Sequence, residues 1–281
     1  MFKFLLERWF KLVIISLTLV LCLFTYIFHI EPGWVDIVPL TIAMPHLDAA
    51  FEGTRIVQIS DIHIDGDWMT TKRLQQIVRQ VEQQHPDLVM ITGDLVDHDP
   101  RTYASGLLKP FTYLTERVPT FAVLGNHDHY SNPQPLQDIL VQSHVTELAN
   151  AVYTITKGGA QLNIAGVDDV WMGRDRLDLV LEQLPQEGAA ILLVHEPDFA
   201  DKAALTNRFD LALSGHSHGG QVRIPFSGPP VLPKHGQRYP VGQYQVGTMV
   251  QYTNRGIGMA RPRVRFNSRP EITVITLKQA V

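Results

Sequence analysis

Arg55-Ile56-Val57-Gln58-Ile59-Ser60, followed at once by Asp61-Ile62-His63, sets the pattern for the chain. A short run rich in Val and Ile, closed by polar residues, reads as a strand buried on both faces. Working outward, four further runs repeat it. Leu88-Val-Met-Ile-Thr-Gly93 leads into Asp94, and Phe121-Ala-Val-Leu-Gly125 into Asn126-His127-Asp128. Ile191-Leu-Leu-Val194 leads into His195, and Leu211-Ala-Leu-Ser-Gly215 into His216-Ser217-His218. Side chains at i and i+2 of an extended segment share a face, so Asp61 pairs with His63 and His216 with His218. Polar residues just past strand ends gather at the carboxyl edge of a sheet, where open α/β folds build their sites.

Between these runs the spacing changes from that of strands to that of helices. Leu74, Ile77, Val78 and Val81 predict a helix over 70–84, with Thr70 or Thr71 as N-cap and Pro86 closing it. Shorter helical patterns cover 136–141 and 177–184. Residues 151–167 read as a hairpin turning at Gly158-Gly159, and 272–277 as a closing strand. The Gly- and Pro-rich stretch 219–244 predicts a long loop beside the site, either a substrate cap or an ordered insertion. Pro32, Pro39 and Pro45 mark 31–53 as a linker. The expected organisation is an N-terminal stub and apolar helix over 1–30, a linker over 31–53, and one α/β domain over 54–281. That domain is expected to be two sheets flanked by helices.

Composition supports a packed core, with 45% hydrophobic and 19% charged residues. A net charge of -4 gives no reason to expect a nucleic-acid partner. Cys22 is the single cysteine, so an intrachain disulfide and a thiolate metal site are both excluded. From Leu12 to Ile30 there is no Asp, Glu, Lys or Arg. As a helix this stretch is about 28 Å long, close to the ~30 Å hydrocarbon core of a bilayer. Trp9, Phe10 and Trp34 flank it as interfacial aromatics. Lys3, Arg8 and Lys11 precede it, and no Lys or Arg falls between 31 and 50. The charge rule then predicts a single-pass protein with a cytoplasmic N-terminus and the α/β domain outside. A cleaved signal peptide and a buried core helix are the competing readings.

Asp61, His63, Asp94, Asn126, His195, His216 and His218 form the donor inventory. Imidazole and carboxylate without thiolate suit Mn, Fe, Zn or Ni, and disfavour an all-oxygen Ca site. These blocks resemble, in order and without substitution, those of the calcineurin-like metallophosphoesterases. The resemblance implies a two-sheet αββα sandwich and a hydrolase of phosphoric esters or diphosphates. It further implies that Asp61, His63, Asp94 and His218 hold one divalent ion. Asp94, Asn126, His195 and His216 would hold a second, with Asp94 shared. A pair of metals about 3.5–4 Å apart would clamp the phosphoryl oxygens and activate water. His127 would be the general acid or phosphate-binding group, and Asp128 could orient its ring.

The blocks Gly215-His-Ser-His-Gly-Gly-Gln221, Asn254-Arg-Gly-Ile-Gly258 and Arg265-Phe-Asn-Ser-Arg-Pro-Glu271 narrow the likeness to a membrane-anchored subgroup. It includes transmembrane metallophosphoesterases and the UDP-2,3-diacylglucosamine pyrophosphatases of lipid A synthesis, which points to a lipid-linked substrate. Because that substrate is expected on the cytoplasmic face, it conflicts with the predicted orientation. An outward-facing general phosphodiesterase or phosphatase is the enzyme alternative, and a metal-stabilised scaffold the non-catalytic one. Asp97 suits a supporting role or a helix cap equally well. His29, His46, His85, His98, His144 and His235 read as ordinary surface histidines, and His129 as exposed, with a place at the rim of the site as its alternative. Arg255, Arg261, Arg263, Arg265 and Arg269 read as a solvated basic edge, with a diphosphate or lipid headgroup grip as the functional alternative.

Overall fold

The computed structural model describes residues 2–280, and three buried apolar clusters organise them into layers. The first sheet places β1 (Asp36–Met44), β12 (Glu271–Gln279), β2 (Arg55–Ile59), β3 (Leu88–Thr92), β4 (Thr120–Val123) and β5 (Thr146–Glu147) side by side in that order. In the second the order is β10 (Gly242–Val246), β11 (Met249–Thr253), β9 (Leu211–Ser214), β8 (Ala189–Leu193), β7 (Ala160–Gly166) and β6 (Ala151–Lys157). The helices are α1 (Phe2–Thr25), α2 (Thr71–Glu82), α3 (Pro100–Tyr103), α4 (Ser105–Thr115), α5 (Gln134–Gln142), α6 (Leu177–Gln183) and α7 (Ala200–Ala204).

The two-residue period of each strand explains the layering. Ile56, Met90, Phe121 and Val123 point inward and meet Ile164, Ile191, Leu193, Leu211 and Leu213 of the other sheet. Their neighbours Val57, Ile59, Val89 and Ile91 point outward, onto Leu74, Ile77, Val78 and Val81 of α2 and onto Leu107 and Phe111 of α4. On the far side, Ala190, Leu192 and Ala212 pack against Val180 of α6 and Ala200 and Ala203 of α7. The result is an αββα sandwich. Because β2, β3 and β4 are mutually parallel, and β8 is parallel to β9, the chain leaves all five strands at their carboxyl ends into the site loops.

Most of the expected elements form. Thr70 caps α2, its hydroxyl accepting from the Arg73 N–H at 3.2 Å. The hairpin pairs Ala151 with Gly166 through Lys157 with Ala160, turning at the expected glycines. The linker over 31–53 does not hold. That segment contains β1, nine residues paired parallel to β12 from Asp36–Glu271 to Met44–Gln279. Its prolines concealed an edge strand: Pro39 lacks an N–H, and only an edge strand can do without that ladder bond.

No residue of α1 is buried, and the helix is long and apolar enough to cross a membrane. A π-helical turn (Tyr26–Ile30) and a 3-10 turn (Glu31–Gly33) then bring the chain onto the domain. There the Arg265 N–H donates to the Ile27 carbonyl at 3.0 Å, and the buried Glu31 carboxylate accepts from the Ser268 N–H at 2.6 Å. The apolar helix is thus fastened at its end to the domain.

Ile191 is fully buried between the sheets on the strand that delivers His195. Ile191→Ala is expected to cost about 2–5 kcal/mol, measured by chemical denaturation of the detergent-solubilised protein. A change below about 1 kcal/mol would mean the intersheet core collapses around the gap.

Candidate metal centre

The five strand ends deliver their side chains to one point. Ligand atoms of Asp61, His63 and His218 lie within 4.8 Å of one another, as do those of Asp94, His195 and His216. Asp94 adjoins both groups: its Oδ2 is 3.6 Å from Nε2 of His63 and 3.1 Å from Nε2 of His195. His63 and His218 face each other through their Nε2 atoms at 3.1 Å, and His218 Nε2 is 3.3 Å from Asp61 Oδ1. Asn126 is buried beside them, its amide nitrogen donating to the Tyr130 hydroxyl at 2.6 Å.

The backbone is bent to bring them there. Asp61, His63, Asp94, His216 and His218 all have φ between 48° and 70°, the left-handed region that non-glycine residues rarely occupy. Strain of this kind persists only where the surroundings over-determine it, and it concentrates at functional sites. Here the lock is hydrogen bonding. Asp61 and His63 donate their N–H groups to the carbonyls of Gly93 and Asp94, and Ile257 and Gly258 donate to those of Ser60 and Asp61. The Asp61 carboxylate accepts from the His216 N–H at 3.0 Å.

Tautomers follow from the carbonyl acceptors. His195 Nδ1 donates to the Thr92 carbonyl at 2.7 Å, which turns Nε2 toward Asp94. His216 Nε2 donates to the Lys234 carbonyl at 2.8 Å, leaving Nδ1. Burial, reinforced by His195, lowers His216 to about 3, and burial with His63 holds His218 well below the ordinary range. Burial alone would raise Asp94, yet the charges of His195 and His127 overcome it and keep the carboxylate ionised. Buried Asn126 Oδ1 and His195 Nε2 have no hydrogen-bond partner. Imidazole nitrogens, an amide oxygen and carboxylates, all turned inward, fit divalent cations, which would replace the protons that the neighbouring carboxylates draw onto His63 and His195.

The sequence profile of the calcineurin-like phosphoesterases matches residues 54–220. The chain belongs to that family. It is 35% identical over 257 residues to the uncharacterized metallophosphoesterase YkuE of Bacillus subtilis (strain 168), covering 90% of this chain and 89% of that protein. Identity to the phosphodiesterase YaeI of Escherichia coli (strain K12) is 30% over 258 residues, covering 90% and 92%. A transmembrane protein with metallophosphoesterase domain from Danio rerio is 33% identical over 260 residues, covering 87% of this chain and 57% of that one. The protein is therefore a metallophosphoesterase, a hydrolase of a family that binds divalent metals. Its exposed apolar helix and its vertebrate membrane relatives support single-pass anchoring.

A cavity of about 480 Å³ opens onto Asp94, Asn126, His127, His216 and His218 of this phosphoesterase. Its remaining wall is largely apolar and includes Trp171, Val222, Pro230, Val231, Pro262 and Val264. Half-buried His127 donates from Nδ1 to the Asp97 carbonyl at 2.6 Å, which leaves Nε2 as its free ring nitrogen. Asp128 does not orient that ring. Its carboxylate accepts instead from the N–H groups of Leu95, Val96 and Gly125, at 2.9, 3.0 and 3.0 Å. The tight turn after Gly125 folds the carboxylate back under the Asp94 loop, so it stiffens the loop and the main chain of Asp97 holds the histidine. Trp171 and Tyr130 escaped the sequence analysis. Trp171 sits edge-on to His216 with ring centroids 5.6 Å apart, and the Glu196 carboxylate accepts from the Trp171 backbone N–H at 2.9 Å.

Two further expectations change. His129 is buried and bonds Asp168 at 2.8 Å, away from solvent. The basic strip is not a solvated edge. Arg265 is fully buried, its guanidinium donating to the carbonyls of Ser268, Arg255, Gly256 and Gly258. Arg255 pairs with Glu271 and Asp36, Arg269 with Asp36, and Arg263 with Asp65 and Asp67. Only Arg261 keeps a largely exposed side chain, 66% accessible. Their acidic partners come from distant segments, which local sequence does not reveal.

Gly125 leaves no room for a side chain, since a Cβ there would lie 2.3 Å from Asp94 Oδ1 and 2.7 Å from His195 Cδ2. Gly125→Ala is expected to displace Asp94 and strip bound metal, read by elemental analysis of the purified protein. Full metal content with wild-type turnover would show that the loop yields without disturbing the donors.

Proposed function

We propose that Asp61, His63, Asp94 and His218 hold one divalent cation and Asp94, Asn126, His195 and His216 a second. At this centre the protein hydrolyses a phosphodiester or diphosphate carried on a lipid. The observation carrying the lipid is the apolar cavity set against the donor cluster, in a chain whose exposed helix is long enough to span a bilayer. A tethered site meets membrane-embedded substrate at high effective concentration, roughly millimolar for a short tether.

Mn, Fe, Zn or Ni held by these donors would supply Lewis acidity against the phosphoryl charge and acidify water. The residues of the chain do the rest. His127, fixed through Nδ1, presents Nε2 to the cavity and carries the proton given to the departing oxygen. Asp97 stabilises His63 as well, its Oδ1 lying 3.6 Å from His63 Nδ1. Trp171 and the proline-rich wall exclude water and take the apolar part of the substrate. The name of the Escherichia coli relative, a phosphodiesterase, supports a diester. UDP-2,3-diacylglucosamine fits the same class but requires a cytoplasmic site, against the charge-rule orientation with the domain outside.

Hydrolysis of a bis-aryl phosphodiester with added Mn²⁺ tests the centre. Asp94→Ala is expected to abolish turnover and bind neither cation, whereas His127→Ala keeps the metal and slows the reaction by about 10²-fold. Wild-type protein without metal-dependent turnover would leave only a scaffold. Orientation is settled separately by a C-terminal reporter active only outside the cytoplasm. An inactive reporter on a stably produced fusion would overturn the outward assignment and readmit the nucleotide-linked lipid.

A further inference from the structure

The loop 219–244 contains an element that the metal chemistry leaves unused. Ile224 and Gly228 exchange both backbone hydrogen bonds at 2.9 Å and close a small hairpin with Pro225, Phe226 and Ser227 at its tip. Phe226 stands at the apex, 109% accessible, and is held at φ 69°. A left-handed conformation is unusual for a bulky residue, and glycine would serve a bare turn better. Ile224 and Val231 beside it are 47% and 75% accessible. Three large apolar side chains are thus presented to solvent within eight residues, by a turn that directs the largest of them outward.

The hairpin lies in hydrogen-bonded continuity with the membrane helix. Phe266 donates its N–H to Gln221 and accepts from Arg223, at 2.9 and 2.8 Å, so it is the strut on which the hairpin stands. The preceding residue, Arg265, donates to Ile27 at the end of the apolar helix. The legs of the hairpin, at Gln221, Val222 and Val231, also form part of the cavity wall. Residues 219–244 hold no acidic residue; Arg238 is paired with Asp201, while Arg223 and Lys234 form no ion pair among the described residues, a charge that matches an anionic lipid surface.

We propose that the hairpin Arg223–Val231 is a second membrane contact. Its apolar tip enters an anionic bilayer beside the end of α1 and holds the cavity mouth at the lipid surface. The inference rests on membrane anchoring through α1, and it deepens the lipid-substrate proposal by giving the substrate its route of entry. Aromatic and aliphatic side chains on a basic support are what an interfacial anchor requires. α1, although fastened to the domain, can still tilt in the bilayer, and a second contact fixes the face presented to it.

The test uses the full chain in vesicles of phosphatidylcholine and phosphatidylglycerol. A Cys22→Ser background carries Phe226→Cys labelled with an environment-sensitive dye, and Lys157→Cys on the opposite edge of the sheet serves as control. The dye at 226 is expected to shift to the blue and to be quenched by acyl-chain nitroxide lipids, while the dye at 157 is not. A water-like, unquenched signal at 226 overturns the proposal. Phe226→Asp is expected to hydrolyse a phosphodiester lipid in the vesicles about tenfold more slowly and a soluble bis-aryl phosphodiester at the wild-type rate. Equal slowing on both substrates would instead make the hairpin part of the catalytic fold. Quenching at 226 without lipid turnover by the wild type would refute the lipid substrate and leave the membrane seating standing.

Discussion

Burying carboxylates among imidazoles is the constraint on which the rest of this structure depends. Asp61 and Asp94 are 0% and 2% exposed, and the four histidines beside them are 1–5% exposed. Charged groups withdrawn from water are costly unless they are paired, hydrogen-bonded or bound to metal. Protein partners satisfy only part of this set, because the ring nitrogens that do donate are turned outward onto the carbonyls of Thr92 and Lys234. What remains inside is a concentration of lone pairs. Two stacked sheets meet the constraint by supplying a rigid edge, and the left-handed turns at Asp61, His63, Asp94, His216 and His218 bend the donors over it.

Those turns need support, and much of it comes from the end of the chain. Ile257 and Gly258 hold the main chain of Ser60 and Asp61, while Ser268 donates its hydroxyl to the His218 carbonyl at 3.0 Å. Arg265 gathers that return segment by donating to four of its carbonyls, and its N–H also reaches the end of the apolar helix at Ile27. Acceptors on both terminal nitrogens offset much of the cost of burying that guanidinium, whose Nε alone is left without a partner. One arginine therefore links the loop under Asp61 to the point where the apolar helix meets the domain. The end of the apolar helix and the donor cluster are parts of one hydrogen-bonded unit.

The sequence was informative where a local rule governs the outcome. Continuous Val, Ile and Leu runs mean strands covered on both sides, and Ile56, Val57, Met90 and Ile91 are covered on both sides. Thr70 caps a helix because its hydroxyl is positioned to accept the N–H three residues on. Failures came where a distant partner sets the role. β1 is a strand because β12 lies beside it, although 235 residues of sequence separate Asp36 from Glu271. Arg255 and Arg269 are ion-paired because β1 brings Asp36 to them. His129 is buried because Asp168 meets it.

By itself the sequence determined the two-sheet class, the apolar helix and the identity of the polar residues at five strand ends, since these follow from period, length and motif. The tertiary structure alone decided which donors face one another, that Asp128 braces a loop and leaves His127 to Asp97, and that an apolar cavity lies beside the cluster. Period and propensity act over a few residues along the chain. Hydrogen-bond partners, burial and cavity walls are set by atoms that meet only after the sheets have stacked.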